Sequence, residues 1–455
     1  MLGLYKYIQT TPFSKLSNWS VQQLIETTIS FNAAYQMVRI GNLLQRNKIA
    51  INVQDNIDYK RITIRLRNGG VILRDVVQGQ NIGTKRQFLV SEGQFILSKI
   101  DARNGAMGII PSELEGAIVT QDFLAYDIDK SRINPIFLLL ISTTKEFISL
   151  CQSCSSGTTN RQRIEETKFL DIKIPLPTIE EQDTLVDEYN NLICLSKAQE
   201  IEAERLKNDI QINLFNKLGV QVTNSTNIPK GLQFVSFKNI QEWGVEKITN
   251  KNNFSSSLFT TISLGENQNL IREVFRGKSP KYDEKSPIFI LNQKCVRWNN
   301  IELKWAKKIN ENWIRNINRT FFTKEGDILI NSTGEGTIGR SSVVSVKHEG
   351  LLYDSHVLLL RLDKTIINPT YFSEIFNSTY GQTQIDIVKS AQSTKQTELG
   401  INNLLKIEFP LPPLNIQIEI VNYINEIKSH IDQLQANAEN NKITALNNFE
   451  HKIFK

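Results

Sequence analysis

A few residue groups have the types and spacing that chemistry requires. Gly334-Glu335-Gly336-Thr337-Ile338-Gly339 spells the glycine pattern of a loop that cradles phosphates. Such a loop must open a helix whose amino end faces the anion, whereas residues 340–346 read as a strand, so the pattern predicts a tight turn. Cys151 and Cys154 have a spacing that binds zinc only together with a second pair, and no second pair occurs. His348, His356, His430 and His451 lack metal-ligand spacing. There is no Gly-x-Ser-x-Gly elbow, no Gly-Lys-Ser/Thr phosphate loop and no repeated carboxylate pair. The sequence therefore predicts no catalytic residue, no metal and no cofactor in this chain.

Binding to a polyanion is the chemistry that does emerge. The 455 residues hold 53 Lys+Arg against 47 Asp+Glu, a net charge of +6 too small by itself to name a partner. The positive residues are concentrated, however. Between Lys60 and Arg103, nine cations face three acids; between Arg272 and Arg319, twelve face five, with Trp298, Trp305 and Trp313 interleaved. The candidate contacts are Lys60, Arg61, Arg65, Lys85, Arg86, Lys99, Arg103 and Asn104 in the first region. Those in the second are Lys278, Lys281, Tyr282, Arg297, Lys304, Lys307 and Arg340. Two matched basic patches are an electrostatic footprint for nucleic acid. Between and after them the chain is acidic: residues 179–218 hold nine acids and four bases.

The elements that must position these patches are written twice. Trp19 and Ile40-Gly41 recur as Trp243 and Leu264-Gly265, 224 residues later. Gly105 and Gly108 match Gly336 and Gly339, Asn134-Pro135 matches Asn368-Pro369, and Pro175-Leu176-Pro177 matches Pro410-Leu411-Pro412 at an offset of 235. A small drift in offset means a few loop insertions in two equivalent halves. Each half begins with an α+β globular part. Residues 61–66, 71–73, 328–330 and 343–346 read as short strands, and residues 134–147 and 369–376 as helices, with the Asn-Pro pairs as helix starts.

Each globular part ends at Pro-Leu-Pro, and a long helix follows. Thr178 and Glu181 form a capping box, and the helix should run to Leu218 with Gly219 as its stop. Leu185, Tyr189, Leu192, Ala203, Leu206 and Ile210 make a heptad seam interrupted by Ser196 and Gln199. Ile420, Ile424, Ile427, Ile431, Leu434 and Ala438 repeat it. Rods of about forty residues are about 60 Å long and need a partner for an apolar stripe, so the two should pair as a coiled-coil-like spacer. The expected segments are a recognition domain at 1–177, a helix at 178–219, a second recognition domain at 220–412 and a second helix at 413–455. That agrees with the about three structural units which the length suggests. No apolar run reaches the ~18 residues of a membrane span, no signal peptide is evident at the start, and the four cysteines make no disulfide framework, so a cytoplasmic location without membrane contact is expected.

These features resemble the specificity subunits of type I restriction-modification enzymes. The residues that bear the likeness are Ile172 to Gln182 and their repeat Ile407 to Gln417, each leading into a long helix. Residues 98–106 and 277–282 look like pieces of target-recognition domains in that family. The second copy departs in having Leu414-Asn415-Ile416 where the first has two glutamates, which removes its capping box. The resemblance implies two similar recognition domains in tandem, each reading one half of a split, asymmetric double-stranded DNA sequence. It also implies an antiparallel helix bundle on which two methyltransferase subunits dock. S-adenosylmethionine would be bound by those partners, and ATP and magnesium by motor-nuclease subunits that join the full enzyme. Three other readings are a specificity subunit for a type IIG-like methyltransferase-nuclease, a protein scaffold that reads no DNA, and an autonomous methyltransferase. The last would use Asn368-Pro369-Thr370-Tyr371, which resembles the amine-holding Asn-Pro-Pro-Tyr/Phe motif but lacks its second proline.

Overall fold

Gly41 and Gly265 show why the repeat had to be kept. In the computed structural model, which describes residues 31–66, 69–156, 162–222, 234, 236, 237, 254–389 and 398–454, each packs against a carbonyl of the same later turn. A Cβ on Gly41 would stand 2.9 Å from the Leu170 carbonyl oxygen, and one on Gly265 3.1 Å from that of Leu405. The preceding amides close the contact: Ile40 donates to Ile172 (2.8 Å) and Leu264 to Ile407 (3.1 Å). A side chain at Gly41 would force a shift of the backbone and one at Gly265 would be tight, so both close approaches use the missing Cβ. Trp19, Trp243 and Arg67 lie outside the described residues.

The two domains share a frame. In the first, a four-stranded antiparallel sheet has the order Leu44–Asn47, Phe123–Ile128, Phe95–Ser98, Met107–Ile109. In the second the order is Ile271–Arg276, Val357–Leu362, Ile328–Asn331, Ser341–Val343. Helices α1 (Pro135–Thr143) and α2 (Lys145–Ser153) of the first domain correspond to α4 (Pro369–Asn377) and α5 (Thr379–Val388) of the second. A single helix over 134–147 was expected. It breaks at Thr144, whose extended backbone (φ −70°, ψ 151°) ends α1 and whose hydroxyl accepts from Phe147 N–H to cap α2. Two strands are also displaced from expectation. Residues 61–66 belong to Asp58–Ile64, because Asp58 pairs with Gln78, and 343–346 to Ser341–Val343, because a 3-10 turn starts at Val346.

The domains differ in what is added to the frame. The first carries a five-stranded sheet in the order Ala50–Asn52, Arg86–Leu89, Ile118–Val119, Asp58–Ile64, Val71–Gln78. The second carries a three-stranded sheet, Lys307–Lys308, Phe289–Leu291, Leu352–Tyr353, and a hairpin of Val296–Arg297 with Asn300–Ile301.

Two long helices complete the chain, α3 (Ile179–Leu218) and α6 (Leu414–Phe454). Thr178 N–H donates to Glu181 Oε2 at 2.9 Å and Glu181 N–H to Thr178 Oγ1 at 3.3 Å, which is the capping box, and Gly219 stops α3 at φ +61°. At the start of α6 the Pro413 carbonyl takes the amides of Ile416 and Gln417 instead. Contacts divide the chain into two units, Met1–Gln199 with Ala436–Lys455 and Glu200–Gln435, so each unit holds one domain and one half of each helix. In the first unit the helices run antiparallel: Lys452 pairs with Glu188 (2.7 Å), Asn441 Nδ2 donates to Gln199 Oε1 (2.9 Å), and Ser196 Oγ donates to the Ala438 carbonyl (2.8 Å). In the second unit Lys217 pairs with Glu419 at 2.6 Å, and Leu214, Leu218, Ile420, Val421 and Ile424 join the domain core.

Leu185, Ala203, Ile420, Ile424, Ile431 and Ala438 are buried, while Tyr189, Leu192, Leu206, Ile210, Ile427 and Leu434 are half-buried. Ser196 is no interruption of the seam. It is 0% exposed, and its small hydroxyl satisfies a carbonyl of the facing helix.

Two glutamines fasten the helices to their domains. Gln182 and Gln417 are each 0% exposed. Gln182 Oε1 accepts from Asn134 N–H (2.8 Å) and its Nε2 donates to the carbonyls of Pro177 (2.9 Å) and Arg132 (3.1 Å). Gln417 does the same with Asn368, Pro412 and Ile366. Gln182→Leu or Gln417→Leu leaves one buried and two partly buried backbone groups without that partner, a fully buried unmet group being worth about 1–3 kcal/mol. Each substitution is expected to lower its unit's unfolding free energy by about 2–4 kcal/mol in denaturant titrations.

Candidate nucleic-acid interface

The motifs that could do chemistry are used for architecture. Asn134 and Asn368 cap α1 and α4: each side-chain oxygen accepts from the amides two and three residues on, at 2.8–3.3 Å. A capping amide has no lone pair left over for gripping a substrate amine, and each helix begins at the proline, whose missing N–H costs nothing there. Gly334, Gly336 and Gly339 have φ of 102°, 72° and 81° in a turn that leads into the strand Ser341–Val343, not into a helix. Cys151 and Cys154 are buried in the first core.

In the first domain the basic residues fall into two sets. Lys60, Arg61, Lys85 and Arg86 lie on or beside the added five-stranded sheet, and Arg65 follows its strand Asp58–Ile64. Arg61 makes two 2.7 Å bonds to Asp75, and its guanidinium holds that carboxyl below the usual carboxylate range. Lys85 pairs with Asp55 at 2.6 Å, and Lys60 donates to the Glu113 carbonyl. Arg65 and Arg86 are exposed. Lys99, Arg103 and Asn104 form the second set, in the loop that follows Phe95–Ser98 of the shared frame. There Arg103 bonds Gln162 (2.9 Å), and Asn104 bonds Asp101 (3.2 Å).

In the second domain the cations stand over aromatic rings. Lys307 lies 4.7 Å from the Tyr282 ring centroid, Lys278 4.8 Å from Phe321, and Lys308 6.0 Å from Phe289. Arg297 and Lys304 flank Trp305 at 5.8 and 5.5 Å, and Arg340 lies 5.8 Å from Trp298. Lys281 is exposed beside Tyr282. Glu302 ties one group together: it bonds Lys304 (3.0 Å) and the Trp305 indole N–H (2.8 Å), which hold its carboxyl below the usual range. Trp298, Trp305, Tyr282 and Phe289 are about half exposed (41–52%). Alternating flat rings and cations offer stacking surfaces for bases and charges for phosphates. Trp313 behaves otherwise, packing on the cluster of Ile290, Ile309 and Leu352.

Residues 34–211 and 271–445 match the type I restriction modification DNA specificity domain, which therefore occurs twice. The chain belongs to this family. A type I restriction enzyme specificity subunit described from Methanocaldococcus jannaschii, MjaX, is 30% identical over 140 residues. That match spans 29% of this chain and 33% of the relative's length. A solved structure described as showing complex assembly and conformational transition of the type I R-M system has a TM-score of 0.54 at 15% identity, covering 93% of this chain and 97% of that one. The HsdS subunit from Thermoanaerobacter tengcongensis gives 0.47 at 14%, covering 92% and 96%. At 15% identity the first of these likenesses speaks to fold alone.

The specificity domains thus keep a common frame and place most of their candidate cations on the parts that are not common. Sequence reasoning missed Lys308, Phe289, Asn299 and Glu374 of the second specificity domain. The two clustered residues had a signal, an aromatic within a basic window, but the other two act only through tertiary contacts. Among the described residues of this specificity protein, no single helix is long and apolar enough to cross a membrane.

Proposed function

We propose that this specificity protein is the DNA-reading, non-catalytic component of a type I restriction-modification complex. Its two domains each read one half of a divided, asymmetric duplex sequence. The observation that carries the reading is the placement of cations on the five-stranded sheet of one domain, and of cations with exposed rings around the three-stranded sheet and hairpin of the other, where the halves diverge. Different surfaces on a common frame are what two different half-sites require.

Chemistry is assigned to partners. Two methyltransferase subunits would dock on the helical bundle, where Leu195, Ile201, Ile212, Ile418, Ile443 and Leu446 remain exposed. They would bring S-adenosylmethionine, and motor-nuclease subunits would bring ATP and magnesium.

Binding is expected to fall with salt along a log–log slope of about −0.9 per phosphate neutralised, and to become sequence-selective once the methyltransferase subunit is present. Fluorescence titrations of the complex should give its target at least about 1,000-fold preference over random duplex. Equal affinity for both would rule the reading out.

A further inference from the structure

Trp298 and Asn299 form the two-residue loop of the hairpin in which Val296 pairs with Ile301 and Arg297 with Asn300. Asn299 is the one non-glycine residue with positive φ among the described residues, at 54°. An L-residue stays in the left-handed region only where its surroundings demand it, and asparagine is among those that tolerate it. Here four hydrogen-bonding partners hold the residue, although it remains exposed. Asn299 N–H donates to the Ser341 carbonyl at 3.0 Å. Its side-chain oxygen accepts from Asn377 Nδ2 (2.6 Å) and Ser373 Oγ (3.1 Å), and its Nδ2 donates to Glu374 Oε2 (3.2 Å). Glu374 is itself only 6% exposed and ion-paired to Lys428 of α6. The turn is thus bolted to α4 and, through one buried carboxylate, to the long helix of the same unit.

What this anchoring holds up is an indole that lies outside the hydrophobic clusters of its domain. Trp298 is 48% exposed and joins no hydrophobic cluster among the described residues. Arg340 stands over its ring, while the guanidinium of Arg297, before it in the chain, lies over Trp305. A rigidly presented flat apolar ring beside a guanidinium group suits a base in a polyanion, with the ring against the base and the cation toward a phosphate.

We propose that Trp298 is a specificity-determining residue of the second domain, a wedge that stacks at a base step of its half-site. Asn299 is its positioning residue. The inference rests on the DNA-reading function above and names the residue that carries it in this domain.

The test is selection from a random-sequence duplex pool by the complex of this chain with its methyltransferase subunits. The wild-type complex selects a divided sequence. Trp298→Ala loses sequence information at a few adjacent positions of one half, keeps the other half, and binds the wild-type sequence about 5- to 150-fold more weakly, the range for losing one stacked base. Asn299→Ala reproduces that one-sided loss with the tryptophan in place, and Asn299→Gly, which accepts positive φ, loses less. If Trp298→Ala melts early, Trp298→Phe takes its place and must alter the same positions. A Trp298 variant that is folded and selects the wild-type sequence with wild-type affinity overturns the proposal while leaving the proposed function standing. A wild-type complex that selects no divided sequence overturns the function itself.

Discussion

Replacing Lys281, Lys304, Lys307 and Lys308 together by glutamate is expected to weaken DNA binding about a thousandfold at about 0.1 M salt. Each lysine that neutralises a phosphate adds about 0.9 to the salt slope, so four contribute about 3.6. That contribution vanishes near 1 M salt and amounts to a factor of about 10³ to 10⁴ one decade lower. The slope itself should become shallower by the same amount, which separates lost phosphate contacts from general damage. All four side chains are exposed, and three stand over or beside the rings of Phe289, Tyr282 and Trp305. The rings remain in the variant, but three cation–ring contacts and the Lys304–Glu302 pair are lost, so unfolding should shift by about 1–3 kcal/mol. An unchanged slope would show that these cations do not meet DNA.

Arg361→Leu is expected to cost the second unit about 3–5 kcal/mol. Arg361 lies on Val357–Leu362, an inner strand of the shared sheet, and makes two 2.7 Å bonds to Asp327 and an ion pair with Glu273. The Asp327 side chain is 1% exposed. Without the guanidinium, Asp327 keeps only the Lys324 amide, which donates to it at 2.7 Å, and a buried carboxylate is left without its counter-charge. The double variant Asp327→Leu/Arg361→Leu should recover much of the loss, because a buried ion pair replaced by apolar groups often comes out near neutral. Denaturant melts of both single variants and the double measure the coupling. Additive losses would mean that the pair is not coupled.

Much of the frame was legible because it is written twice. Gly41 and Gly265, the Asn-Pro helix starts and the Pro-Leu-Pro segments are each fixed by local backbone demands that leave few residue choices. The helix from Ile179 to Leu218 was legible from its capping box, its heptads and its terminal glycine.

What escaped was set by contacts between distant segments. Gln182 and Gln417 look like solvent-facing polar residues in a helix pattern, and Ser196 like a break in the seam, yet each is fully buried because a specific carbonyl or amide from elsewhere meets it. The charge count had the same limit. Arg61 and Lys85 counted as binding cations, but Asp75 and Asp55 take up their charge inside the domain. Conversely, the cation–ring pairs of the second domain join residues as far apart as Trp298 and Arg340, which no local pattern shows.

The central claim is that two unlike surfaces on a repeated frame read two unlike half-sites. A base-resolution methylation map of genomic DNA from cells expressing this chain with its methyltransferase subunits tests it most directly. The account predicts one asymmetric motif in two parts separated by a spacer of fixed length. Methylation at an undivided or palindromic motif, or none above the level without this chain, would contradict it.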